Sequence, residues 1–125
     1  MTTPPFNTVT WFQVGSDKPE QIKKFYGELF GWSFGPYGSD DGYELIHYPG
    51  SEAPSGGIAH TTDSAANHAT FLVMVEDVAA TVAAAEALGA KVLNPPETTS
   101  DGLVSADLLD TSGNHFGVFS PAPSA

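Results

Sequence analysis

The strongest constraint on this chain is that its two halves follow one plan. Lay Val14 on Val75 and the halves correspond: each valine ends a β-branched or aromatic run, residues 8–14 and 70–75. An acidic residue follows within three positions, Asp17 or Asp77, and opens a helix. Each helix stops at a glycine, Gly31 or Gly89, and an extended run resumes. Gly56-Gly57-Ile58 then corresponds to Phe116-Gly117-Val118 near the end of each copy. A repeat of roughly 60 residues is too long for a solenoid unit, and two copies are too few for one. The plan predicts an α+β fold of two tandem βαβββ modules, about 6–62 and about 67–120, within one domain spanning 1–125. Their strands would form a curved mixed β-sheet with the helices on its convex side.

Periodicity supports both helices. Ile22, Phe25, Tyr26, Leu29 and Phe30 recur at helical spacing over 19–30, and Val78, Val82, Ala85 and Leu88 do so in the second copy. Extended runs are expected at 32–34, 43–48, 56–60, 91–93, 104–109 and 115–119, with Pro95-Pro96 breaking the one before them and a frayed tail at 121–125.

Composition removes several classes of function. There is no cysteine, so disulfides, thiolate metal sites and cysteine nucleophiles are out. Fifteen acidic against four basic residues give a formal charge of −11, which repels nucleic acid and anionic lipid. The acidity itself reads as a solubility device. The N-terminus lacks a basic stretch followed by an apolar run, and no segment reaches the ~18 apolar residues of a membrane span. The cytoplasm is the expected location. No phosphate loop, dinucleotide fingerprint or Gly-x-Ser-x-Gly elbow occurs.

Three segments carry a family resemblance: residues 9–17 running into Phe25-Tyr-Gly-Glu-Leu-Phe-Gly-Trp32, residues 70–77 running into 85–92, and residues 110–119. The chain resembles the vicinal oxygen chelate (VOC) superfamily of glyoxalase I, bleomycin-resistance proteins and extradiol dioxygenases. The resemblance implies a homodimer. It also implies four points where metal-dependent members place His or Glu. These fall on Val9, Thr70, Gly117 and a position near Gly57, none of which supplies a carboxylate or imidazole. The resulting expectation is a protein with no metal and no cofactor.

Strand parity places Val9, Trp11 and Gln13 on one face, with His68, Thr70, Leu72 and Met74 on the matching face of the second copy and His115, Gly117 and Phe119 on its last strand. His68 and His115 lie two residues, roughly 6–7 Å, from the family's ligand points. His47 and His60 receive no assignment. Trp11 would stack on a planar ligand and Gln13 would hydrogen-bond it. Met74 and Phe119 would add apolar wall. The ligand-binding set is therefore Trp11, Gln13, His68, Thr70, Met74, His115 and Phe119, with His68 and His115 as catalytic candidates. Three functions stay open: a metal-free binder of a small apolar or aromatic molecule, a metal-dependent lyase, isomerase or dioxygenase, and a metal-free enzyme with a histidine general base.

Overall fold

A computed structural model describes residues 6–38 and 40–122. In chain order it contains β1 (Thr8–Ser16), α1 (Pro19–Phe30), β2 (Ser33–Tyr37), β3 (Asp40–His47) and β4 (Gly56–His60). A 3-10 turn at Ser64–Ala66 leads to β5 (His68–Met74), α2 (Val78–Ala87), β6 (Lys91–Thr98), β7 (Val104–Leu109) and β8 (His115–Ser120). The α+β class and the doubled βαβββ order are as expected. Residues 1–5 of the N-terminal stretch and 123–125 of the expected tail lie outside the described residues. The chain divides into two compact units. One is Trp11–Ala69; the other joins the stretch ending at Thr10 to the stretch beginning at Thr70.

In the Trp11–Ala69 unit the strand order is β2-β3-β4-β1. β1 and β4 run parallel, with Gln13 beside Gly57, and the remaining pairs are antiparallel. Pro19 starts α1, where its missing N–H costs nothing. Asp17 is not the cap. The Ser16 hydroxyl accepts from the Lys18 N–H at 2.9 Å, while Asp17 is tied through its N–H and carboxylate to Asn67. Gly31 takes the left-handed conformation that ends the helix, with φ of 74°. Ile46 and Ile58 are fully buried. The apolar stripe on α1 behaves differently from its pattern. No residue of α1 is buried, and Phe25, Leu29 and Phe30 are each more than half exposed. Tyr26 and Phe30 pack against Trp32 at 5.3 and 5.2 Å between ring centroids, and Trp32 in turn contacts Phe12 and Tyr48. The stripe is partly spent on ring-to-ring contacts at the surface.

In the other unit the order is β5-β8-β7-β6, with β5 and β8 parallel and the rest antiparallel. The Asp77 carboxylate caps α2 by accepting from the Ala80 N–H at 3.0 Å, as its sequence position suggests. Val78 and Val82 then bury against Val75, Ala106, Leu108 and Val118. Leu88, expected on that helix face, is 80% exposed because it is the C-cap residue, beyond the last turn that meets the sheet. Pro95-Pro96 does not end the strand. β6 continues to Thr98 through register shifts around Asn94. It is the end strand in its unit's order, where a residue without N–H is tolerated.

Candidate functional site

The alternation of β1 puts Trp11, Gln13 and Gly15 opposite Phe12 and Val14. The Gln13 side-chain amide lies 2.9 Å from His68 Nε2, and His68 Nδ1 lies 2.9 Å from the Ala66 carbonyl oxygen. A carbonyl only accepts, so the neutral ring carries its proton on Nδ1. The Nε2 lone pair then accepts from Gln13. Gly15 makes this possible, because a Cβ there would fall within the His68 ring. On the same unit the Trp11 indole N–H donates to the Tyr43 hydroxyl at 2.9 Å. The Tyr43 ring lies over Gly57, leaving no space for a side chain at that position. Tyr43 was missed in the sequence. Its signal was its parity on β3 opposite a strand of small residues.

Beside Tyr43 is a recess of about 360 Å³, also lined by Phe34, Glu20, Glu44 and His60. Glu44 takes Lys23 Nζ at 2.8 Å on one oxygen and His60 Nε2 at 2.7 Å on the other. Burial raises its carboxyl pKa, but the hydrogen bonds from Lys23 and His60 outweigh that and hold it below the ordinary value. Glu20 and Glu44 together raise Lys23. His60 thus belongs to the hydrogen-bonded cluster around Glu44.

In the other unit Thr70 donates to the His115 carbonyl oxygen at 2.6 Å. Met74 sits beside Phe119 in the parallel ladder. His115 Nε2 lies 3.1 Å from Asp107 Oδ1, and the Asn94 amide donates to Asp107 Oδ2 at 3.0 Å. Neither Asp107 nor Asn94 was singled out in the sequence, since nothing in their spacing announces them. The seven expected residues therefore divide. Trp11, Gln13 and His68 lie in one unit; Thr70, Met74, His115 and Phe119 lie in the other.

The four points where the superfamily holds a metal do not fit one here. Gly57 is covered by Tyr43, and a Cβ on Gly117 would lie 2.9 Å from Leu72 Cγ. Val9 is 58% exposed and apolar, and the Thr70 hydroxyl is engaged. Among the described residues no three His, Cys, Asp or Glu side chains are arranged so that they could hold a metal ion.

Two βαβββ units with parallel first and last strands define a fold of the VOC superfamily. Residues 11–119 match the family described as Glyoxalase-like domain, and the chain belongs to it. No curated protein matches the chain significantly. Solved structures share the fold. A Mn(II)-bound glyoxalase from Novosphingobium aromaticivorans superposes with a TM-score of 0.63 at 18% identity, over 94% of this chain and 40% of that one. The chain thus spans about two fifths of that glyoxalase. The methylmalonyl-CoA epimerase from Mycobacterium tuberculosis gives 0.63 at 14% identity, over 98% and 93%. The Streptomyces coelicolor epimerase, in complex with 2-nitronate-propionyl-CoA, gives 0.63 at 18%, over 94% and 99%. These neighbours correct one expectation. A Mn(II)-bound glyoxalase shares this fold, so empty ligand points in the sequence do not license the conclusion that the protein takes no cofactor. The four points rest on the resemblance alone, and within one unit the donors His115 and Asp107 stand on β8 and its neighbour β7.

Proposed function

We propose that this glyoxalase-like protein binds a small apolar or aromatic molecule that is neutral or cationic. The observation that carries the reading is Tyr43, fixed by the Trp11 N–H and forming one wall of a recess beside Phe34. Flat aromatic walls with a few fixed polar groups are what such ligands require. Gln13 and His68 are assigned as hydrogen-bonding contacts in this unit. Thr70, Met74, His115 and Phe119 are the contacts assigned to the other. Charge narrows the ligand. The chain has four lysines and no arginine, and Lys23 is held by Glu20 and Glu44. A polyphosphate such as the coenzyme A of the epimerase complexes finds little to grip it. A homodimer and a cytoplasmic setting belong to the same proposal.

Tryptophan fluorescence during titration with neutral and cationic aromatic compounds tests it. Saturable quenching is expected in the wild type and its loss in Trp11→Phe. A variant that binds and quenches like wild type removes Trp11 from the site. Metal analysis of protein purified without chelator or His-tag runs alongside. Near-stoichiometric Mn, Fe, Ni or Zn would add a metal to this binding site, and its absence would leave binding to the side chains named.

A second reading, proton transfer with His115 as base, is favoured by the Asp107 carboxylate at its ring. His115→Ala tests it, and unchanged turnover of an identified substrate would sink it.

A further inference from the structure

The second of these readings rests on His115, and the structure bears on which of its atoms would act. We infer that Asp107 and Asn94 are positioning residues that hold His115 with its proton on Nε2 and its lone pair on Nδ1. A carboxylate is an acceptor only, so the His115 nitrogen 3.1 Å from Asp107 Oδ1 must be the one that carries hydrogen. In a neutral imidazole the basic lone pair then belongs to Nδ1. Asp107 is itself held. The Asn94 amide donates to its other oxygen at 3.0 Å, which fixes the plane of the carboxylate.

The three residues stand on three consecutive strands of one unit, Asn94 on β6, Asp107 on β7 and His115 on β8. Asn94 pairs with Asp107 at the register shift in β6, an irregularity of the kind that re-aims a side chain. Asp107 pairs with Gly117, where a Cβ would lie 3.4 Å from Asp107 Oδ1. The missing side chain at 117 therefore leaves the carboxylate room. The Thr70 hydroxyl pins the His115 backbone from β5.

The two histidines candidate for catalysis are thereby set in opposite tautomers. His68 carries its proton on Nδ1, toward Ala66, and its Nε2 lone pair is engaged by Gln13. His115 carries its proton on Nε2. When Nδ1 takes a proton from a substrate, the positive charge that forms on the ring faces the Asp107 carboxylate, which stabilises it without itself being protonated. The carboxylate beside the His115 ring, where His68 has an amide and a carbonyl, favours His115 for holding that charge.

Two-bond proton–nitrogen correlation spectra, recorded on the full chain at a pH where both rings are neutral, read the tautomers without any substrate. The expected result is a pyrrole-type Nε2 for His115 and a pyrrole-type Nδ1 for His68. Asp107→Ala is expected to release His115 to a mixture of tautomers while His68 keeps its own, which also reports that the fold is intact. Asn94→Ala, a milder change, is expected to loosen the same preference in part. A His115 with its proton on Nδ1 in the wild type would overturn the inference, as would an unaltered His115 tautomer in Asp107→Ala. Once a substrate is known, Asp107→Asn is expected to lower kcat by about 10²-fold or more with KM little changed. The spectra and the turnover fail separately. Expected tautomers with unchanged turnover in His115→Ala would remove the proton-transfer reading and leave the positioning intact.

Discussion

The His68 imidazole lies so close against the backbone of Gly15 that a Cβ at Gly15 would fall inside the ring. A residue on β1 thereby dictates where a side chain some fifty positions later can rest. Gly15→Ala is expected to push His68 off its two hydrogen bonds, to Gln13 and to the Ala66 carbonyl. Overpacking of this kind costs about 1–3 kcal/mol. Thermal melting together with the His68 imidazole shifts checks it. A variant with wild-type melting and wild-type shifts would count against the packing described.

Leu108 is fully buried among Val75, Val78, Val82 and Val118, whereas Leu88 is 80% exposed although both belong to apolar patterns. Leu108→Ala is expected to cost about 2–5 kcal/mol through lost burial and the cavity left behind. Leu88→Ala is expected to stay within about 0.5 kcal/mol. Urea denaturation of the two variants separates them, and equal losses would contradict the placement of α2.

The two acidic helix openings are also expected to part company. Asp77 caps α2, so Asp77→Ala is expected to cost about 1 kcal/mol. Asp17 does not cap α1; its carboxylate accepts from the exposed Asn67 amide. Asp17→Ala is expected to cost less than Asp77→Ala, measured by denaturant titration under identical conditions.

Glu44 sets a pH dependence whose sign follows from its partners. Its folded-state carboxyl sits below its ordinary value; burial works against this, and Lys23 and His60 prevail. Its contribution is therefore present above the unfolded value and lost as pH falls through the lower folded one. Lys23 mirrors it: held above its ordinary value, it contributes below the unfolded value and loses that as pH rises through the folded one. Glu44→Gln is expected to flatten the acid side of the stability–pH curve, by about 1 kcal/mol or less for an ion pair of this exposure. Urea midpoints measured across the acid range check it. A parallel loss at every pH would assign Glu44 a packing role.

The parts of the fold visible in the sequence were those that short stretches decide. Gly31 ends a helix because its own φ is positive, and Gly89 repeats this in the second copy; Asp77 begins a helix because its carboxylate reaches an N–H three residues on, a cap that Asp17 does not repeat. Pro95-Pro96 misled for a related reason. Locally two prolines break a strand, yet at the end of a sheet order their missing N–H groups remove nothing the ladder uses. The apolar stripe on α1 misled as well, since periodicity shows which residues share a face and not what that face meets.

The candidate site divides along the same line. Parity in the sequence placed Trp11 with Gln13, and Thr70 with Met74, because side-chain alternation is a property of each strand alone. Which atoms those side chains meet was decided by register between strands. That register brought Tyr43 to Trp11, and it brought Asp107 and Asn94 to His115, pairs whose members stand up to 32 residues apart. The sequence by itself thus determined the doubled α+β plan and the faces of its strands. Only the tertiary structure decided that His68 and His115 hold their protons on opposite nitrogens. A tautomer follows from whether the neighbouring atom can accept or donate, and that neighbour is supplied by the fold.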